Sequence, residues 1–323
     1  MPDVSHFPAI PERLCWRGDS LPAGAGRIAL PAGVEKELDG IVAALDRDPL
    51  PLLVLRPEDF TLDASRTFMR AVKQSLDEGP GFAIVDHLPV ERWSQAGARA
   101  VWWLLASLVA RPVAQKWDGT SIYDVCDLGR PPGNGVRPDV TNAEQNFHTD
   151  NSYNHVPPHY VGLLCLRTAM AGGVSGIVSF ATAHEEMRRH HPDLLSRLYQ
   201  PFYFDRQREH APGDAMTTYH PMFEREEDRL IARLSHFQVK NGHKLAGVAL
   251  DAEGAAALDA FEAILNAPGM AARFQFEPGQ IQLIDNRALG HKRTAFRDWP
   301  EAERKRLLVR LWLRDRGSRA YNG

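Results

Sequence analysis

The hydrophobic pattern changes character part-way along the chain. In roughly the first third, apolar positions recur at three- and four-residue intervals, as one buried face of a helix requires. Helices are expected there over Glu35–Arg47, Ser65–Glu78 and Glu91–Ala110. One short run, Phe82–Asp86, interrupts this rhythm and reads as a strand. After Phe147, short apolar segments bounded by turn residues dominate. Tyr160–Leu166, Ile177–Phe180, Leu230–Phe237, Ile281–Asp285 and Leu307–Leu313 are expected as strands. Helical texture survives there as insertions. Thr182-Ala183-His184-Glu185 matches a capping box that would start one such helix, running through Arg189, with His184 at its surface. Pro131-Pro132-Gly133-Asn134-Gly135 reads as a loop. The expected fold class is mainly β with helical insertions, a barrel or jelly roll.

Composition narrows the function by exclusion. Lys+Arg 38 against Asp+Glu 41 gives a net charge of −3, without the basic excess of a protein that neutralises many phosphates, so nucleic acid is not an expected partner. Cys15, Cys126 and Cys165 are odd in number and far apart, which fits free thiols in a reducing compartment. The apolar run from Val101 to Ala110 is about half the roughly 20 residues a membrane helix needs and reads as a buried helix. No basic segment followed by an apolar stretch opens the chain, so a cytoplasmic location is expected and no membrane association.

Two places carry candidate chemistry. The first is His148-Thr149-Asp150, joined by a distant His291 after Ile284-Asp285-Asn286-Arg287-Ala288-Leu289-Gly290. Side chains alternate along a strand, so His148 and Asp150 share a face while Thr149 points away. Two imidazoles and a carboxylate on one side of a divalent metal leave three positions open, the arrangement of non-haem Fe(II) oxygenases. The two residues alone fit a solvated or hydrogen-bonded pair in a loop better than a metal site. His291, delivered by a strand that follows the Phe276-Glu277-Pro278-Gly279 turn, tips the reading toward metal. The second place is the final strand, where Arg306, Leu308, Arg310, Trp312 and Arg314 share one face. Either these arginines lie in water on an edge strand, or Arg306 and Arg310 face a barrel mouth and grip a carboxylate.

From Gly81-Phe82 onward the chain resembles the taurine dioxygenase and clavaminate synthase-like family of Fe(II)/2-oxoglutarate oxygenases. The marks are His148-Thr149-Asp150, Pro157-Pro158, Gly172-Gly173, Asp285-Asn286-Arg287, His291 and the terminal arginines, in the family's order. The resemblance implies one oxygenase domain over 1–323, with a helical segment, 1–80, packed on a double-stranded β-helix core, 81–323. It implies iron held by His148, Asp150 and His291, and 2-oxoglutarate and O2 as cosubstrates. Arg306 would hold the far carboxylate of 2-oxoglutarate, helped by Ser175 where the family commonly has threonine, and Arg310 would serve substrate or cosubstrate. The implied reaction is hydroxylation of an unactivated C–H, releasing succinate and CO2. Retention of Asp150 favours this over halogenation; desaturation, epoxidation and cyclisation stay open, as does a homo-oligomer.

The substrate is less legible. Asn146, Asn151, Tyr153 and Asn154 crowd the metal motif with hydrogen-bonding groups, pointing to a small polar molecule, and an unpaired Arg310 would favour an anionic one. A zinc hydrolase or a catalytically silent module are the rival classes; the first leaves the arginine strand without a purpose. Gly24-Ala25-Gly26 mimics a dinucleotide fingerprint, but Pro22 and Pro31 flank it and no strand leads in. Pro157 and Pro158 forbid a helical His155/His159 ligand pair. His210, His220, His236 and His243 are expected to be structural.

Overall fold

In the computed structural model, which describes residues 10–130, 137–226 and 229–323, the apolar segments assemble into two main sheets. The Pro131–Gly135 loop lies outside the described residues. The larger sheet has seven strands in the order Arg27–Ala29, Phe82–Asp86, Ile281–Asp285, Tyr160–Arg167, Leu307–Arg314, Arg111–Val113, with Tyr123–Val125 also paired to Leu307–Arg314. The smaller has four: Ala272–Phe274, Ser175–Ser179, Leu289–Arg293, Gln145–His148. Side chains from both sheets line one cavity, so the sheets face each other across it.

Alternation explains how the larger sheet is covered. Leu307, Val309, Leu311 and Leu313 join the apolar core built with three helices, α1 (Ala32–Arg47), α2 (Asp63–Asp77) and α3 (Gln95–Val109). Leu308 and Trp312, one residue out of phase, belong to cores on the other side. Leu307–Arg314 is buried along its whole length between neighbours, so the solvated edge-strand alternative for its arginines is excluded. Helix starts follow local hydrogen bonding. Ser94 caps α3 by accepting from Gly97 N, whereas α2 is capped from α1, the Glu37 carboxylate accepting from Ala64 N, Ser65 N and the Ser65 hydroxyl. Burial opposes ionisation of Glu37, yet the Ser65 hydroxyl and these N–H groups hold its pKa below the usual value.

Two expectations need correction. The insertion helix runs Phe180–His190 and is capped by Ser179, not Thr182. That earlier start turns His184 inward, where it is fully buried and bonds Tyr199 Oη through Nε2 at 2.8 Å. The strand expected at Leu230–Phe237 spans only Arg229–Ala232, because Ser235 caps a helix, His236–Ala246. Among the described residues no helix is long and apolar enough to cross a membrane.

The contact between Trp102 of α3 and the central strand Tyr160–Arg167 is tight. A Cβ at Gly162 would lie 2.6 Å from the Trp102 ring and 3.0 Å from Leu283 Cδ2. Gly162→Ala is expected to lower stability by about 1–3 kcal/mol through overpacking, measured as a fall in urea midpoint; an unchanged midpoint would show that α3 can retreat from the sheet.

Candidate metal centre

His148 and His291 are directly paired across neighbouring antiparallel strands, which sets their imidazoles side by side with centroids 4.2 Å apart. The strand that carries His148 ends with it, so Asp150 sits in the turn beyond rather than in the strand. The alternation still holds: Thr149 points away and exchanges hydrogen bonds with the backbone of Leu234. Asp150 Oδ1 lies 3.5 Å from His148 Nε2 and 3.9 Å from His291 Nε2. One donor atom from each residue falls within 4.8 Å of the others.

The surroundings prepare each donor. His148 Nδ1 donates to the Asn146 carbonyl at 2.9 Å, which leaves the lone pair on Nε2. A bulge lets Gln145 and His148 oppose Arg293 and His291, bringing the Gln145 amide 2.9 Å from His148 Nε2. That lone pair serves either Gln145 or a metal. Burial, then the neighbouring His148, pushes His291 down to about 3, keeping its imidazole neutral and able to ligate. Burial would raise the Asp150 pKa, but Arg310 and the two neighbouring histidines outweigh it and hold the carboxyl far below its ordinary value. Asp150 Oδ2 accepts from Trp312 Nε1 at 2.7 Å and lies 3.3 Å from Arg310 Nη1, so Oδ1 is the oxygen left for a metal. The Asn286 amide clamps the Asp150 backbone, its oxygen accepting from Asp150 N at 2.8 Å and its nitrogen donating to the Asp150 carbonyl at 3.0 Å.

Two cavities meet at His148 and Asp150. The smaller, about 40 Å³, includes Ser175, Arg293, Arg306 and Arg310 with the three metal-site residues. The larger, about 260 Å³, includes His148, Asp150, Asn146, Asn151, Tyr153, His236 and Arg310. Arg306 is buried, its guanidinium over the Phe296 ring, and burial lowers its pKa to about 10. Arg310 is not the unpaired cation considered from the sequence: Nε donates to Gln115 Oε1 at 2.8 Å, and Nη2 lies 3.4 Å from Asp139 Oδ2. Asn151 adopts φ 56°, its Oδ1 accepts from Tyr321 Oη, and its Nδ2 is buried without a partner among the described residues. Tyr153, also buried, shares a hydrogen bond of 3.0 Å between its hydroxyl and that of Tyr321. Asn146 reaches Glu262 at the cavity rim, whereas Asn154 turns away to the Tyr321 carbonyl.

Sequence reasoning missed the supporting cast. Trp312 was visible only as a residue in phase with Arg310. Asn286 was part of a motif without a role, and Asp139 and Gln115 come from segments with no signal. His236, expected to be structural only, lines the larger cavity and pairs with Glu262 and Asp259.

The family model "Taurine catabolism dioxygenase TauD, TfdA family" matches residues 46–312. The chain belongs to the TauD/TfdA family. It is a non-haem iron enzyme that uses 2-oxoglutarate, and the donor set of His148, Asp150 and His291 fits such an iron. FR-33289 synthase of Streptomyces rubellomurinus is 25% identical over 298 residues, covering 90% of this chain and 86% of that protein. Among solved structures, asparagine oxygenase with Fe(II), hydroxyasparagine and succinate superposes with TM-score 0.68 at 18% identity, covering 92% of this chain and 98% of that one. The non-haem iron oxygenase OrfP, with Fe, succinate and (3S)-hydroxy-L-Arg, gives 0.65 at 15% identity over 90% and 94%. These two structures share the fold.

Removing the indole N–H should disturb the oxygen it restrains. Trp312→Phe is expected to weaken Fe(II) binding about 10–100-fold, read by competition with a chelator; unchanged affinity would mean that Arg310 alone orients Asp150.

Proposed function

We propose that this TauD/TfdA enzyme hydroxylates an unactivated C–H of a small polar, amino-acid-like metabolite, releasing succinate and CO2. In this reading the two sheets are the halves of a double-stranded β-helix within one oxygenase domain. The chain works in the cytoplasm on a free small molecule.

His148, Asp150 and His291 hold the iron, and Arg306 with Ser175 receives the far carboxylate of 2-oxoglutarate. Bound iron supplies the oxidising chemistry that couples decarboxylation of 2-oxoglutarate to attack on a C–H bond. The chain's own residues position, desolvate and discriminate. Arg306 suits its role because it is a buried cation that makes no ion pair with a described carboxylate, and a dicarboxylate relieves that imbalance. Arg310 neutralises Asp150 and fixes its orientation, which leaves it little capacity to serve as the substrate's sole anchor.

The observation that carries the substrate class is the polar inventory of the 260 Å³ cavity. Its cations, Arg137 and Arg310, already face Asp139, Glu209 and Asp150. What is left among the described residues is a buried donor, Asn151 Nδ2, and a buried acceptor, Asp139 Oδ1, beside His236 Nε2, which makes no hydrogen bond but lies 3.3 Å from Asp259 Oδ1. A molecule with both an acceptor, such as a carboxylate or amide oxygen, and a donor, such as an ammonium, satisfies both. The hydroxylated amino acids bound to asparagine oxygenase and OrfP have this chemistry.

Anaerobic titration with Fe(II) and 2-oxoglutarate should produce the visible charge-transfer band of a chelated 2-keto acid, and His148→Ala should abolish it. Its absence in the fully iron-loaded protein would rule the assignment out. Arg306→Gln is expected to weaken 2-oxoglutarate about 30-fold, a cost of about 2 kcal/mol for an unmet buried charge contact. Asn151→Gly tolerates the positive φ and should weaken an amino-acid substrate about tenfold while the band persists; equal substrate affinity would remove Asn151 from the recognition set.

A further inference from the structure

We infer that Arg293 is a second cation for the far carboxylate of 2-oxoglutarate and ties cosubstrate occupancy to the segment 138–143 beside the substrate cavity. This rests on the placement of 2-oxoglutarate against Arg306 proposed above. Arg293 ends the strand that carries His291, two residues on, so both side chains project to the same face. Its Cα pairs with Ser175 on one neighbouring strand and with Gln145 on the other. The side chain lines the same cavity as Arg306, Ser175 and the metal triad.

The guanidinium is divided between two tasks. Nη2 donates to the carbonyls of Ala143, Thr141 and Pro138 at 2.8, 3.3 and 3.4 Å. Nη1 is buried and has no partner among the described residues, in a residue only 6% exposed. Arg293 and Arg306 rest on one ring, their guanidinium carbons 4.6 and 5.1 Å from the Phe296 centroid. Neither makes an ion pair with a described carboxylate, and the two acids that line the cavity, Asp139 and Asp150, are already paired with Arg137 and Arg310. A buried charge is tolerated when a partner meets it, and a carboxylate has lone pairs enough for two guanidinium groups. The cosubstrate's far carboxylate is that partner.

The other half of Arg293 gives the contact a consequence. The three carbonyls it holds belong to the segment that carries Asp139, whose Oδ2 pairs with Arg137 and Arg310. Arg310 in turn faces Asp150. Filling Nη1 with a carboxylate immobilises the guanidinium, and through Nη2 it steadies a wall of the substrate cavity before the substrate arrives. Arg293 is thus a positioning residue as well as a cosubstrate contact.

The test compares 2-oxoglutarate with 2-oxovalerate, which chelates identically but lacks the far carboxylate, in anaerobic binding titrations of the iron-loaded full chain. Arg293→Gln should weaken 2-oxoglutarate at least tenfold and leave 2-oxovalerate within twofold, with Arg293→Lys between wild type and Arg293→Gln. In the wild type, 2-oxoglutarate but not 2-oxovalerate should slow amide exchange over 138–145. Equal weakening of both keto acids, or none, would overturn the assignment and leave Arg293 a structural tie. Should Arg293→Gln not fold, Arg293→Lys and the wild-type exchange decide. If wild type binds neither keto acid, the cosubstrate placement itself falls; if it binds 2-oxoglutarate and the variants bind as well, only the role of Arg293 falls.

Discussion

The structure around the metal site depends on keeping one buried carboxylate charged. Taking a carboxylate out of water costs several kcal/mol unless donors and cations meet it. Asp150, only 5% exposed, therefore gathers Trp312 and Arg310 on one oxygen and two imidazoles around the other. Arg310 needs its own partners, Gln115 and Asp139, and Asp139 is shared with Arg137, which reaches Glu209. Neutralisation thus spreads from a single residue through the terminal strand into the segment before His148. The two sheets are bound to each other at this point, since the histidines come from the smaller sheet while Arg310 and Trp312 come from the larger. Asn286, just past the strand Ile281–Asp285, fixes the peptide that joins them.

The terminal strand shows how one repeated residue type acquires separate duties. Arg306, Arg310 and Arg314 recur every fourth position on one face, and all three are buried. Arg306 lines a cavity and makes no ion pair with a described carboxylate, whereas Arg310 is met by Asp139, Asp150 and Gln115. Arg314 is pinned to the carbonyls of Ala320, Tyr321 and Val156, tying the last turn of the chain to the loop after the metal motif. Periodicity places them on a common face; only their neighbours in space distinguish their roles.

That distinction marks the limit of what could be read from the chain. The strands Phe82–Asp86 and Ile281–Asp285 emerged with their expected bounds because each is a short, mostly apolar run, the second interrupted only by Gln282, set between turn signals. The metal residues were legible because ligand chemistry restricts each position to very few residue types. Helix starts were less so: the cap of α2 is Glu37, on another helix, and the insertion helix is capped by Ser179 rather than by the better-matching Thr182. Residues that act by holding another side chain, such as Trp312 and Gln115, carry no motif. Their function is a distance, and the partner lies far away in sequence.

Charge is unevenly distributed across the triad, and this bears on which ligand goes where. At the end where the cosubstrate is proposed to bind, Arg293 and Arg306 have no described carboxylate partner. At the substrate end Arg137 and Arg310 meet Asp139, Asp150 and Glu209, so positive charge is already balanced. A dicarboxylate gains most at the first end, where two guanidinium groups lack such a partner, although Asp139 and Asp150 line both cavities. A zwitterion with no net charge has the reverse preference: it can satisfy Asn151 and Asp139 without a surplus cation to attract it elsewhere. Under the proposed placement, exchanging the two ligands would leave Arg293 and Arg306 unmet, and that penalty would direct the dicarboxylate to the smaller cavity. The pairing of Arg310 with acids removes the simplest argument for an anionic substrate and suits one with no net charge.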